Sequence, residues 1–159
     1  MIVRILSKEH FDTVLPRMRI DNLNVEEHLD KAFISILDPD RPNSSYFIDN
    51  HPNVLRLVFA DETPDGNYAR IKKGLNECQL FTRQQGEEIL NFVERNKHIE
   101  TLFIHCSAGI SRSGAVGLVI NDYYGEETYM EFGNSNTNIR PNFYIVALLR
   151  RIYNGIGDE

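Results

Sequence analysis

Four short, almost unbroken apolar runs punctuate the chain: "IVRIL" (2–6), "AFISIL" (32–37), "VLRLVFA" (54–60) and "TLFIHC" (101–106). A strand with one wet face alternates apolar and polar residues. Runs without that alternation predict strands covered on both faces, as in parallel sheets. Helical patterns fill the intervals. "SKEHFDTVL" begins with Ser7 as a candidate N-cap. "TRQQGEEILNFVERN" sets Thr82 and Gln85 at capping-box spacing and puts Ile89, Leu90 and Val93 on one face. "SGAVGLVINDYY" forms another such pattern, and "PNFYIVALLRRIY" closes the chain with Pro141 near its first turn. Strands alternating with helices predict an α/β fold: a central, mainly parallel sheet of about four to five strands flanked by helices. With 159 residues, the chain is expected to be a single domain spanning 1–159. Segments 38–45 and 61–81 read as loops, and the second is long enough to suggest a functional lid.

The net charge of −6 argues against a nucleic-acid partner or an acidic lipid surface, either of which favours a basic face. No apolar run approaches the roughly 18–20 residues of a membrane span. The opening "MIVRILSKEH" lacks the apolar core and cleavage site of a signal peptide. The expectation is a cytoplasmic protein that binds neither nucleic acid nor membrane. Two cysteines, Cys78 and Cys106, are too few for a disulfide scaffold, so both are expected as free thiols. Cys78, in "GLNECQLF", reads as a small buried hydrophobe with no reactivity. Cys106 has different neighbours.

In "TLFIHCSAGISRSGAVGLVI" (101–120), a strand ends at His105–Cys106 and a helix starts near Arg112. Between them lie Ser107, Ala108, Gly109, Ile110 and Ser111, all but one small. Successive N–H groups in such a loop can point inward and form an anion nest, and the following helix adds its positive end. Gly109 and Ala108 leave room for a tight curve and close backbone approach. A cysteine at the base of this cup would be held as a thiolate. Arg112 offers a planar fork for two oxygens of a phosphoryl group. At this chain's own composition, His, Cys, Gly and Arg fall at these offsets with a chance of about two in a million per position.

"HCSAGISRSG" resembles the H-C-x-x-G-x-x-R-[ST] signature of cysteine-based protein tyrosine and dual-specificity phosphatases. "HCSAG" is the form favoured by the large tyrosine-specific enzymes, and "SRS" the form favoured by dual-specificity ones. The chain has no tryptophan, and so lacks the Trp-Pro-Asp motif of the large catalytic domains. The segment "RPNFYIVALLRR" is similar to the Pro-Asn segment that opens the last helix of the compact members. The resemblance therefore implies a compact, dual-specificity-phosphatase-like domain that needs no cofactor and no metal. It implies a phosphorylated protein as substrate, with phosphotyrosine foremost and phosphoserine or phosphothreonine also open. A monomer is expected.

The resemblance also implies roles. Cys106 attacks phosphorus, and Arg112 with the amides of residues 107–111 stabilises the charge on the equatorial oxygens. Ser113 matches the family hydroxyl that helps the thiolate leave, and His105 matches the residue that orients the loop. The general acid, an aspartate after the strand preceding the long helix, falls on Asp61 in "FADETPDG"; Asp65 is the second candidate. The interval from Asp61 to Cys106 exceeds the family's usual spacing, and the surplus reads as an insertion in 66–81. Two further readings stay open: a phosphoinositide or RNA 5′-phosphatase of the same superfamily, and a catalytically dead phosphoprotein-binding module. The first sits poorly with a loop that contains no lysine. The second sits poorly with retention of both Cys106 and Arg112.

Overall fold

Two separate hydrophobic layers, one on each face of a single sheet, organise the molecule. The structure is a computed structural model that describes residues 1–125, 130–132 and 139–155. The strands are β1 (Ile2–Ser7), β2 (Lys31–Leu37), β3 (Val54–Val58), β4 (Thr101–Cys106) and β5 (Met130–Phe132). They pair in the order β3-β2-β4-β1-β5, and every pairing is parallel. The α/β expectation therefore holds, and the apolar runs account for four of these strands.

The lack of alternation in those runs has the expected cause. In β4, Leu102, Ile104 and Cys106 face one layer, while Phe103 enters the other. The larger layer receives the helices α3 (Arg83–Arg95), α4 (Arg112–Tyr124) and α5 (Phe143–Tyr153), through side chains such as Ile89, Val93, Val116, Ile120 and Ile145. The smaller layer is covered by α1 (Lys8–Arg17), which buries Phe11 and Leu15, and by Val25 and Phe47. Phe11 meets Phe33 and Phe47 edge-on at 6.2 and 6.1 Å, a favoured aromatic geometry.

The helix starts follow the sequence signals. Ser7 Oγ accepts from His10 N, and Thr82 and Gln85 form a complete capping box. Pro141 stands beside the first turn of the last helix, just before the N-cap Asn142, whose Oδ1 accepts from Tyr144 N and Ile145 N. One expectation needs correction. The segment 61–81 is not an irregular loop, because Pro64–Lys72 forms helix α2. Thr63 caps it by accepting from Gly66 N, Pro64 sits in its first turn, and Arg70 and Lys72 stand in its last. Only Asn67 of this helix is buried, so it leaves no apolar period to read. The rest of the segment folds back along β3: Ala60 N donates to Gln79 O at 2.7 Å, and Gln79 Nε2 to Val58 O at 3.1 Å.

Candidate active site

In an open parallel sheet, ligand sites lie beyond the carboxyl ends of the strands. Here β4 ends at Cys106, flanked by the ends of β1 at Ser7 and β2 at Leu37. Residues 107–111 curl over this edge and lead into α4. Gly109 has φ +72°, and a Cβ there would stand 2.6 Å from the Leu6 carbonyl carbon and the Ser7 nitrogen. The loop thus rests on the backbone of β1, and only glycine fits. Lys8 N donates to Ser107 O at 3.1 Å, Arg140 N to Ile110 O at 3.2 Å, and Asn142 N to Ser111 O at 3.1 Å. Among the described residues, no hydrogen bond takes up the N–H groups of Ala108, Gly109 or Ile110. Ser111 is the N-cap of α4 but makes no side-chain cap. Amide donors without an internal partner, at a helix N-terminus, are what an anion nest requires.

Cys106 is 2% exposed, and its Sγ lies 3.1 Å from Ser113 Oγ. Ser113 is wholly buried on the first turn of α4. Its hydroxyl is the immediate polar neighbour of the sulfur. Arg112, also buried, extends its guanidinium among three acceptors: Nη1 donates to Phe59 O at 2.9 Å, and Nη2 to Ser107 Oγ at 3.2 Å. Nη2 also pairs with Asp38 Oδ1 at 2.6 Å, and Ser107 Oγ donates to Asp38 Oδ2 at 2.6 Å. The residues read from the sequence as nucleophile, clamp and leaving-step hydroxyl thus converge on one edge.

Asp61 reaches the same edge from the end of β3. Its Oδ1 accepts from Ser111 Oγ at 2.7 Å and from Asn142 Nδ2 at 3.1 Å, while Asn142 Nδ2 also donates to Glu62 O at 3.1 Å. Asp65 instead occupies the first turn of α2, exposed, where a carboxylate complements the helix dipole. Among the described residues, no hydrogen bond or ion pair joins it to the loop over Cys106.

His105 points to the opposite face from Cys106 and is completely buried, with its ring 4.3 Å from that of Phe11. Its Nε2 lies 2.6 Å from Ser35 Oγ, which lies 3.1 Å from Ser45 Oγ. Its Nδ1 lies 3.3 Å from the Cys106 carbonyl. A carbonyl only accepts, so the neutral ring carries its proton on Nδ1 and accepts from Ser35 on Nε2. Burial pushes the imidazole pKa down to about 4, helped by the positive charges of Lys8 and Arg112 and opposed by the Cys106 carbonyl. His105 therefore acts on the backbone of Cys106 as an uncharged ring.

Four contributors escaped the sequence reading: Asp38, Asn142, Ser35 and the Phe59 carbonyl. Asp38 follows β2 as Asp61 follows β3, so the rule that sites gather at strand carboxyl ends was the available signal for it. Cys78 corrects another expectation. It is half-buried, its N–H donating to Asn67 Oδ1 at 2.7 Å, because it closes a polar surface segment and joins no core. Among the described residues, no helix is long and apolar enough to cross a membrane.

The sequence matches no family model and no curated protein. Among solved structures, the chain is similar to a human tyrosine phosphatase-like serine/threonine/tyrosine-interacting protein, with 21% identity, 82% of this chain and 80% of that chain covered, and a TM-score of 0.37. So slight a likeness has no bearing on the chemistry of the site.

Proposed function

We propose that this chain is a cysteine-dependent phosphomonoesterase that hydrolyses phosphotyrosine in proteins through a phosphocysteine intermediate. The observation that carries the reading is the 3.1 Å approach of Cys106 Sγ to Ser113 Oγ, below a loop closed by the Arg112 guanidinium. A phosphoryl dianion seated in the loop accepts from the amides of 107–111 and from Arg112. Cys106 Sγ forms the S–P bond as the P–O bond to the substrate breaks, and the departing oxygen takes a proton from Asp61. Water then attacks phosphorus and gives its proton to the Asp61 carboxylate. The S–P bond breaks, inorganic phosphate leaves, and Ser113 donates to the returning thiolate. These side chains supply nucleophile, charge stabilisation and proton transfer, so no step calls on a metal.

A protein substrate is favoured over a phosphoinositide, because the loop carries Ser, Ala, Gly, Ile and Ser and no lysine for further phosphates. The deciding measurement is hydrolysis of an aryl phosphate and of phosphotyrosine peptides in excess chelator. The purified protein should turn both over. Cys106→Ser should be inactive yet bind phosphotyrosine, and Arg112→Lys should be severely impaired, since an ammonium does not reproduce the fork. Turnover by Cys106→Ser would sink the covalent mechanism, and an inert wild type would leave a binding module in its place.

A further inference from the structure

Arg112 cannot clamp a phosphoryl group while its present partners remain. A bidentate clamp needs two neighbouring N–H groups aimed the same way. Every side-on pair of a guanidinium that faces away from its own stem includes Nη2. Here Nη2 is engaged twice, by Ser107 Oγ and by Asp38 Oδ1, and Nη1 is engaged by Phe59 O. The Ser107 contact is part of the loop itself. The Phe59 contact is made from the side of β3, to a carbonyl fixed by its backbone. Asp38 is the removable partner: a carboxylate, 35% exposed at the end of β2, that also accepts from Ser107.

Asp38 also has somewhere to go. Beside it lies a cavity of about 320 Å³, lined by Lys8, Arg41, Ser44 and Ser107 among others. Arg41 is exposed and sits in the turn that Asp38 begins, with Arg41 N donating to Asp38 O at 2.9 Å. Lys8 is already paired with Asp12 Oδ2, so a phosphoryl dianion arriving on Arg112 would repel the carboxylate toward Arg41. We propose that Asp38 is a specificity-determining residue, an internal anion that holds the fork of Arg112 and is exchanged for phosphate, swinging toward Arg41 when substrate binds. The inference rests on the phosphatase reading of the loop. Under it, the site selects for ligands charged strongly enough to displace a carboxylate, and the phosphate dianion is that class.

The test is inorganic phosphate binding, measured by calorimetry at fixed pH and ionic strength, with no turnover involved. Asp38→Asn keeps the shape and removes the competing charge. It should bind phosphate roughly 3- to 10-fold tighter than wild type, the range expected for a partly exposed charge-assisted pair. Arg41→Ala should weaken phosphate binding in wild type and have no effect in the Asp38→Asn background. Equal or weaker binding by Asp38→Asn would overturn the proposal and make Asp38 a support for Arg112. An Arg41→Ala effect of the same size in both backgrounds would overturn it too. Failure of every variant and of wild type to bind phosphate would bring down the phosphatase reading, and this inference with it. Phosphate binding that is indifferent to Asp38 sinks the inference alone.

Discussion

Ser111 Oγ donates to Asp61 Oδ1 at 2.7 Å, so the segment after β3 rests on the loop that ends β4. The hydroxyl that would ordinarily cap α4 is spent on this contact. In the proposed reaction Asp61 protonates the leaving oxygen, a contribution of about 10²–10⁴ in rate. Asp61→Asn should therefore depress turnover of phosphotyrosine peptides strongly and an activated aryl phosphate little, and should flatten the basic limb of the pH–rate profile. Asp65→Asn should leave catalysis intact. The reverse ranking would move the acid to Asp65.

Asn142 makes two kinds of contact that can be separated. Its Oδ1 caps α5, and its Nδ2 holds Asp61 and the Glu62 carbonyl. Asn142→Ala should lose about 1 kcal/mol of stability through the cap. Asn142→Ser should keep most of that stability and still lose activity on poor leaving groups. If Asn142→Ser is fully active, the amide has no part in placing Asp61. Thermal melts and peptide turnover on the two variants decide it.

Gly109→Ala should be far more damaging than Gly74→Ala. Both glycines have positive φ, a backbone cost of about 1–2 kcal/mol for any residue with a Cβ. The Gly74 Cβ would meet open space, whereas the Gly109 Cβ would strike the Leu6–Ser7 peptide. The strand cannot yield without disturbing its pairing to β4 at Cys106. Activity should vanish in the first variant and persist in the second. Retained turnover by Gly109→Ala would mean that the loop does not sit on β1 during catalysis.

Acid should weaken the fold through His105 before it acts on the Asp38 pair. His105 titrates near 6.5 when unfolded and at about 4 when folded. Between these values the unfolded chain binds a proton that the folded one refuses, so stability falls as pH drops through this window. The limiting slope for one such group is about 1.4 kcal/mol per pH unit. Asp38 has the same sign, at lower pH. Burial raises its carboxyl pKa, but hydrogen bonds from Ser107 and Arg112 outweigh that and hold it below 3.8, so its contribution is lost only in stronger acid. Nitrogen NMR of His105 is the direct check. An imidazole that protonates near 6.5 in the folded protein would refute the buried, neutral ring.

Oxidation offers a test of the thiol itself. A thiolate in an anion cup should react with peroxide to a sulfenic acid and be restored by added thiol. Reversible loss of activity is expected, with the modification mapping to Cys106. Because Cys78 is half-buried, its labelling sets the background rate. Indifference of activity to peroxide would count against thiolate chemistry.

The sequence was most legible where chemistry and backbone shape coincide. "HCSAGISRSG" needs a strand, a glycine-permitted turn and a helix start in immediate succession, so identities and geometry could be read together. The strand runs were legible because burial on both faces leaves few polar residues to interrupt them, chiefly Arg4, Ser35, Arg56 and His105. Helix α2 was not, since a helix with one buried residue writes no period; its Thr63-Pro64 start was the only sign. Asp38 and Asn142 were missed for another reason. Each acts through a partner some 74–81 positions distant, and nothing local in "LDPD" or "RPNF" records that partner.

The strand order has a consequence for when the site comes into being. β1 and β2 follow each other in the chain but do not touch, because β4 lies between them. Without β4, β2 with β3 and β1 with β5 are separate ribbons. Its pairing with β1 joins Ile2 to Thr101, 99 positions apart, the kind of long-range closure that slows folding. The same strand carries Cys106 at its end. Closing the sheet and bringing Cys106 beneath the loop of residues 107–111 are thus coupled, and a chain that has not yet paired β4 has the cysteine without the loop's place on β1.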